Sequence, residues 1–444
     1  MGPMFVSQSS PKARTLCQVA GALSTAGLFL SLTTGALAQR GQVAVEYAPS
    51  TGASARPSVF QAAGQPAPQP LAGGTRPVIL LTGYWPPTNE MIRDFASDPA
   101  LNSNWIGSNW EGRGYDVHAY FPEFSNPNCS NCGQGQGYLE VDYQDTVADF
   151  EALTALHQPV AIITFSRGFI DNSWEVEMNQ INRTSWFGDF QAPFFPNPSP
   201  PDPSIAAETI RPSVHPVNEI VSRVAANVPG VNPAVCFSGD GGGFLSEFVA
   251  YLGVLYQDQH RDVADPARCV AAGHVHVGGL VPWATAQLAA EETLRTVMDH
   301  VDSTLACSLV TRECEGGLNS ISEESSLNLY GTGSITGTLT RLMADGLPPG
   351  QFGLFFYGQG PIQNPFGDGF LCVSQSVTRL PEILLSGVGG RAWMDLDFGS
   401  APLNGGSGQV LSGSTWSFQY WYRDPAAGGA GFNTSDALAI EFCQ

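Results

Sequence analysis

Residues 76–87, RPVILLTGYWPP, indicate the fold class of this chain. Their apolar run has the length of one strand and ends in glycine and proline, as expected for a strand buried on both faces of a sheet. Further strands are predicted at 115–124, 159–166, 173–182, 233–239 and 269–280, and helices at about 144–156, 215–228, 244–258 and 282–301. This alternation predicts one α/β domain over 76–302, with a mainly parallel central sheet flanked by helices.

The composition changes after residue 302. Residues 303–324 are expected to form a linker, and 325–444 combine Gly and Ser with short aromatic or β-branched runs between turns, which predicts a β-sandwich domain. GLPPGQFGLFFYG at 346–358 and PFGDGFLCV at 365–373 resemble a β-rich C-terminal module of large secreted bacterial proteins, a module without an assigned role.

The first residues have the pattern of an export signal. Lys12 and Arg14 precede an apolar run at about 16–32, and ALA at 36–38 offers a cleavage site, so residues 1–38 are predicted to be a signal peptide. A membrane span is the alternative for the same run. Residues 39–75, rich in Ala, Gly, Pro, Ser and Gln, are expected to form a flexible leader. The mature protein is thus expected outside the cell, in the periplasm or at the cell surface, without a transmembrane span.

Charge and composition exclude several functions. The net charge is −21, which disfavours nucleic acid and anionic membranes as partners. Lys12 is the only lysine, so a mature chain without it has no lysine for Schiff-base chemistry or for a phosphate-binding loop. No cofactor is expected, and the nucleophile of an enzyme with this composition would be Ser, Cys, Thr, Asp or Glu.

The cysteines suggest an oxidising compartment. Eight remain after Cys17 is removed with the signal, an even number that favours disulfides. The pairs expected from the domain boundaries are Cys129–Cys132, Cys236–Cys269, Cys307–Cys314 and Cys372–Cys443. CSNC at 129–132 is also compatible with zinc, but no second pair or His cluster accompanies it, so no metal site is predicted.

SGDGGGFLSEF at 238–248 allows three interpretations. A phosphate loop fits poorly, because the G-x-G-x-x-G spacing is not met and no lysine follows. The glycines could simply make a strand-to-helix turn that Asp240 caps. The third possibility places Ser246 at the positive end of a helix, which suits a nucleophile or an oxyanion. A serine nucleophile also needs a general base.

Candidate partners for Ser246 occur in two predicted strands. His274 and His276 lie on one face near the end of a strand, at the sheet edge where doubly wound proteins bind ligands, and either could be the base. The strand at 173–182 puts Glu175 and Glu177 on one face, where either could orient the histidine. The alternatives are a histidine satisfied inside the core and carboxylates solvated on a strand.

Four segments, in order, resemble motifs of the type I pyroglutamyl peptidases, α/β cysteine peptidases that remove N-terminal pyroglutamate. They are LLTGYWPPT at 80–88, WEVEMNQIN at 174–182, SGDGGGFLSE at 238–247 and GHVHVGGLVP at 273–282. The resemblance spans about 76–302. It implies the family's fold and places its catalytic residues at Ser246, His276 and Glu177, with Tyr84 and Gly242 as substrate-binding positions.

The chain also departs from the family pattern. Ser246 stands where the family has cysteine, and Pro87 replaces an aromatic residue of the substrate pocket. Arg183 is near the position of a family arginine but out of register. Export and disulfides contrast with a cytosolic family.

Two functions of different classes follow. One is a secreted hydrolase that cleaves a peptide or small amide through Ser246, His276 and Glu177, with amides around Gly242 stabilising the oxyanion. The other is a catalytically inactive binding or scaffold protein of the cell exterior.

Overall fold

The computed structural model describes residues 76–444 except 127–131, 170, 238–241, 263–264, 308–309, 338 and 375–376, together with the backbone of 17–19. The N-terminal strands are β1 (Cys17–Val19), β2 (Val78–Thr82), β3 (Asp116–Tyr120), β4 (Pro122–Glu123), β5 (Gln136–Gly137), β6 (Ala161–Arg167), β7 (Ser173–Glu177), β8 (Asn179–Ile181), β9 (Ile210–Pro212), β10 (Asn232–Cys236) and β11 (Ala271–Val277). The helices are α1 (Pro86–Ile92), α2 (Tyr143–His157), α3 (Val217–Asn227), α4 (Leu245–Gln259) and α5 (Trp283–Ala306).

The central sheet has the order β1-β10-β7-β11-β6-β2-β3. Four of its pairings are parallel, and two are antiparallel, those of β1 with β10 and of β11 with β7. Helices α1 and α3 pack on α5, whereas α2 packs on α4, which gives two helical layers around the sheet. The predicted α/β class with a mainly parallel sheet is confirmed. Strand β1 lies within the segment predicted to be a signal peptide.

The strand predicted over 173–182 is divided in two. β7 ends at Glu177, and β8 leaves the central sheet to pair with β9 in a separate ribbon. Trp174 and Val176 are fully buried on one face, and Glu175 and Glu177 are buried on the other. The solvated alternative for these carboxylates is therefore wrong, because helices cover both faces of the sheet.

The C-terminal region is a sandwich of antiparallel sheets, as predicted. Its strands are β12 (Val310–Cys314), β13 (Ser326–Gly331), β14 (Thr340–Asp345), β15 (Phe352–Gly358), β16 (Pro361–Phe366), β17 (Gly369–Val373), β18 (Thr378–Arg379), β19 (Leu384–Leu385), β20 (Ala392–Asp395), β21 (Thr415–Arg423) and β22 (Phe432–Glu441). The sheet β12-β22-β21-β15-β18 and the sheet β13-β14-β20 share one core, which includes Leu342, Phe355 and Phe418. The segment expected to be a linker, 303–324, contains the end of α5 and the edge strand β12.

The disulfides differ from the expected pairs. Cys307 is bonded to Cys443 and Cys314 to Cys372, so the pairs Cys307–Cys314 and Cys372–Cys443 are wrong. Both observed bonds join segments that are far apart in sequence and meet only in the tertiary structure.

The predicted Cys236–Cys269 pair is also wrong. Cys269 is a free buried thiol, although Cys236 is itself disulfide-bonded. The predicted partner of Cys132, Cys129, lies outside the described residues.

Polar side chains join the two domains. Arg341 of β14 is almost fully buried, donates to the carbonyl of Ser213 (2.8 Å), and lies 3.5 Å from the sulfur of Met178, the residue after β7. Asp258, near the end of α4, pairs with Arg391 of the sandwich (3.1 Å). The sandwich therefore contacts both the end of β7 and helix α4.

Candidate active site

His276 and Glu177 form the centre of the candidate site. Because β11 and β7 are antiparallel, His276 lies opposite Glu175, and Glu177 is the diagonal neighbour on the same face. The Nδ1 atom of His276 is 2.8 Å from Oε1 of Glu177, and both side chains are buried. This hydrogen bond assigns the proton to Nδ1 and leaves Nε2 as the basic nitrogen of the neutral ring.

Three carboxylates determine the charge around His276. Burial opposes a charged imidazole, but the hydrogen bond to Glu177 and the negative charges of Glu177, Glu175 and Glu247 outweigh it and raise the pKa of His276. Burial also raises the pKa of Glu175 to about 7, although the nearby His276 opposes this. The site is thus arranged to stabilise an imidazolium, the species that a general base becomes when it accepts a proton.

His274 is a core histidine and not a base at this site. Its Nδ1 lies 2.7 Å from the hydroxyl of Thr164, and its Nε2 lies 2.7 Å from the hydroxyl of Ser166. Burial, together with the neighbouring His276 and His215, lowers its pKa well below the usual value. With both nitrogens bonded, His274 has none left to receive a proton from a nucleophile.

Ser246 lies on the first turn of α4 and is half-buried. Gln257, near the other end of α4, donates to the carbonyl of Cys269 just before β11, and Gly253 packs over Ile162 of β6. At 1.5 Å per residue, Ser246 is about 16 Å from Gln257 along the helix. The first turn of α4 therefore points towards the carboxyl ends of β6 and β11, where His276 lies.

The structure brings together His276 and Glu177 but does not bond Ser246 to them. Among the described residues, no hydrogen bond joins the Ser246 hydroxyl to His276 or Glu177. The N-cap residue, Phe244, has no side-chain acceptor for the first turn, and its carbonyl accepts from the amide of Glu247 (3.1 Å). Among the described residues, the amides of Leu245 and Ser246 have no acceptor, so these two could bind an incoming anion.

Glu247 is a site residue that the sequence analysis missed. It is 2 % exposed, and its carboxylate accepts from Nε of Arg183 (2.6 Å) and from the amide of Gly243 (3.2 Å). Burial raises its pKa to about 7, against the opposing effect of Arg183. Its position next to Ser246, in the first turn of a helix, was the only signal for it, and this position is common for an acidic residue.

Gly242 and Gly243 make the turn into α4, with φ of 78° and 72°. These positive values favour glycine. A Cβ on Gly243 would lie 3.0 Å from the carbonyl oxygen of Ser185, which adds a close approach to the conformational requirement. The Gly243 amide already donates to Glu247, so the turn is held by the helix that follows it.

Tyr84 lies in the core of the α/β domain. Its hydroxyl is 3.5 Å from that of Thr146, and its ring is 7 % exposed. Pro87, which follows in α1, is also buried. Among the described residues, no hydrogen bond connects Tyr84 with Ser246, His276 or Glu177.

Comparison with solved structures finds similar chains among bacterial and archaeal peptidases. Pyroglutamyl peptidase I from Bacillus amyloliquefaciens is 16 % identical, with 51 % of this chain and 97 % of that chain covered and a TM-score of 0.37. Pyrrolidone carboxyl peptidase from Pyrococcus furiosus is 13 % identical over 50 % and 99 % of the two chains, with a TM-score of 0.36. The enzyme from Thermococcus litoralis is 12 % identical over 51 % and 95 %, with a TM-score of 0.35.

No protein-family model matches the chain, and no curated protein is significantly similar to it.

Proposed function

We propose that this protein is a hydrolase that cleaves a peptide or small amide bond with Ser246, His276 and Glu177. The observation that carries the proposal is the buried hydrogen bond of 2.8 Å between His276 Nδ1 and Glu177 Oε1. A carboxylate in this position holds the histidine in one tautomer and stabilises its charged form, the role of the third member of a catalytic triad. The motifs around Ser246 and His276, which resemble those of pyroglutamyl peptidases, support the same assignment.

The chemistry needs only residues of this chain. Ser246 Oγ attacks the carbonyl carbon while Nε2 of His276 takes its proton, and the oxyanion accepts bonds from amides of the Gly242 turn and the start of α4. His276 then returns the proton to the leaving nitrogen as the C–N bond breaks. A water molecule then attacks the acyl carbon while Nε2 of His276 takes its proton. His276 returns this proton to Oγ of Ser246 as the C–Oγ bond breaks and the acid is released.

One observation favours the second function, an inactive binding or scaffold protein. The Ser246 hydroxyl makes no hydrogen bond to His276 among the described residues, and serine is a weak nucleophile without a base in contact. An active Ser246 must therefore bring its hydroxyl to Nε2 when substrate binds, whereas a scaffold needs no such contact.

A fluorophosphonate probe distinguishes the two functions. We expect the probe to label wild-type protein at Ser246 and to leave Ser246→Ala and His276→Ala unlabelled, because attack needs both groups. Ser222→Ala is the matched control, since Ser222 is an exposed serine on α3. Pyroglutamyl and acyl-amide substrates then identify the bond cleaved. If wild-type protein neither reacts with the probe nor turns over these substrates, the result supports the second function, an inactive binding or scaffold protein.

We propose further that the protein works outside the cytoplasm. The described residues include the disulfides Cys307–Cys443 and Cys314–Cys372, and bonds of this kind persist in oxidising compartments. In the part of the chain that the structure describes, no helix is long and apolar enough to cross a membrane. Cleavage after residue 38 would remove β1 and leave β10 at the edge of the sheet. N-terminal sequencing of the protein recovered from the culture medium and from the periplasm tests both points.

A further inference from the structure

Exposed phenylalanines are concentrated in the segment 184–199, here called the aromatic loop. Phe187, Phe194 and Phe195 are 47 %, 49 % and 54 % exposed. Phe194 and Phe195 lie beside Gly188, the residue after Phe187, because a Cβ on Gly188 would lie 3.5 Å from Cβ of Phe194 and 3.8 Å from the ring of Phe195. Contiguous exposed aromatic surface on a water-soluble domain marks a binding site more often than chance.

Hydrogen bonds to the first turn of α2 hold the aromatic loop in place. Asp189 accepts from the backbone amide of Tyr143 (2.8 Å), and its own amide donates to Phe194 (2.9 Å). The Tyr143 hydroxyl donates to the carbonyl of Phe187 (2.7 Å), and Gln144 donates to that of Phe195 (2.9 Å). The backbone that bears the exposed rings is thus fixed by hydrogen bonds. A ligand that covers the rings therefore loses little free energy to ordering of the loop.

The loop is continuous with the candidate active site. The amide of Phe187 donates to the carbonyl of Gly243 (2.8 Å), within the turn that leads into α4. The rings of Phe187 and Phe244 are stacked, with centroids 4.1 Å apart and planes 8° apart. Phe244 is the N-cap of α4, two residues before Ser246. The aromatic surface therefore begins beside the proposed nucleophile.

The chemistry of this surface selects an uncharged occupant. Asp189 is the only charged residue of the aromatic loop, and it is buried and engaged with the backbone. Although the whole chain has a net charge of −21, the aromatic loop presents no exposed charge to attract or repel an ionic ligand. Burial of its rings by an apolar ligand stabilises the complex through the hydrophobic effect.

We infer that the aromatic loop is a substrate subsite, in which Phe187, Phe194 and Phe195 bind an aromatic or large aliphatic side chain next to the scissile bond. This inference rests on the proposed hydrolase function and specifies its substrate class. The enzyme should prefer peptides with such a side chain over those with a small or acidic one.

Two fluorophosphonates that differ only in their tails, ethyl and phenylpropyl, test the subsite in the full-length protein. We expect the phenylpropyl probe to label Ser246 about tenfold faster, because it buries an aromatic group on the loop. In Phe194→Ala/Phe195→Ala this preference for the phenylpropyl probe should fall towards one. Phe352→Ala removes an equally exposed ring from the sandwich and should leave the preference unchanged.

Each outcome separates the subsite from the function. If Ser246 reacts with both probes at similar rates, or the double variant keeps the preference, the subsite is wrong and the hydrolase stands. If Ser246 reacts with neither probe, the hydrolase function fails. Fluorescence anisotropy of a labelled phenylalanine peptide with Ser246→Ala then measures binding without catalysis. Binding that is lost in the double variant supports this surface as a peptide site, whereas unchanged or absent binding overturns it. A wild-type dimer that the double variant converts to a monomer would identify a second copy as the occupant and overturn the subsite.

Discussion

The imidazole of His276 lies 2.8 Å from the carboxylate of Glu177. The two residues belong to β11 and β7, which pair antiparallel although the other interior strands of the central sheet pair in parallel. This pairing reverses β7 relative to β11 and puts Glu175 opposite His276 and Glu177 diagonal to it. The basic character of His276 therefore depends on strand direction as well as on residue type.

Replacing Glu177 tests this relationship directly. Glu177→Gln keeps the size of the side chain but replaces the charged carboxylate, which raises the pKa of His276, with a neutral amide, so that pKa should fall. We expect catalysis by the proposed triad to fall by about 10²–10⁴-fold. Glu175→Gln, which removes a nearby charge without a hydrogen bond, should lower the pKa less. NMR titration of the His276 ring measures both; an unchanged pKa in Glu177→Gln contradicts the assignment.

Stability should depend on pH through Glu175. Its pKa of about 7 in the folded protein exceeds its ordinary value of 4.5, so the folded state binds the proton more tightly than the unfolded chain does. The contribution of Glu175 is complete below pH 4.5 and is lost as the pH rises through 7, by up to about 3 kcal/mol. Urea unfolding of wild type and Glu175→Gln at pH 4.5 and 8 measures this difference. If the difference in free energy of unfolding between the two proteins does not change with pH, the raised pKa of Glu175 is contradicted.

Arg341 should stabilise the junction of the two domains. Arg341→Leu leaves the Ser213 carbonyl without its buried donor and Asp395 without its 2.6 Å ion pair. We expect the free energy of unfolding to fall by about 3 kcal/mol. Arg423→Leu, at an exposed position of β21, is the control and should change it by less than about 0.5 kcal/mol. Equal effects of the two substitutions would show that the junction does not contribute.

The Cys307–Cys443 disulfide should stabilise the sandwich. Its cysteines are 136 residues apart and connect the end of α5 with the C-terminal segment. Cys307→Ser/Cys443→Ser should lower the free energy of unfolding by about 2–5 kcal/mol. Thermal unfolding with and without reductant checks this: reductant should destabilise the wild type and have a smaller effect on the variant. No difference between variant and wild type would contradict a structural role.

Ser246→Cys restores the nucleophile that the resemblance expects. A thiol at the start of α4 near His276 should ionise more readily than an ordinary cysteine and react with iodoacetamide at pH 7 about tenfold faster than free cysteine. The existing free thiol, Cys269, should not react, because burial raises its pKa to about 12. Ser246→Cys/His276→Ala should lose the enhancement. Mass spectrometry of the alkylated protein identifies the site. If the introduced thiol reacts no faster than free cysteine, the thiol at position 246 is not activated by His276 and the proposed pairing is contradicted.

Local patterns were sufficient for most of the fold. The apolar run before Gly83 and the stretches alternating with it predicted β2 and the α/β domain, because a strand buried on both faces is apolar throughout. The short aromatic runs after residue 325 predicted the sandwich in the same way. The division of 173–182 into β7 and β8 was not predicted, since hydrophobic alternation continues across the break.

Only the tertiary structure decided which groups meet. Residue types and motif order singled out His276, Glu177 and Ser246, but the antiparallel register of β7 joined the first two and left the hydroxyl of the third unbonded to them. The same register buried Glu175 and, with α4, surrounded His276 with a third carboxylate, Glu247. The disulfide partners were likewise set by the tertiary packing of segments that are distant in sequence. Composition and periodicity determine which surfaces are buried, whereas charge, proton affinity and bonding depend on neighbours that are distant in sequence.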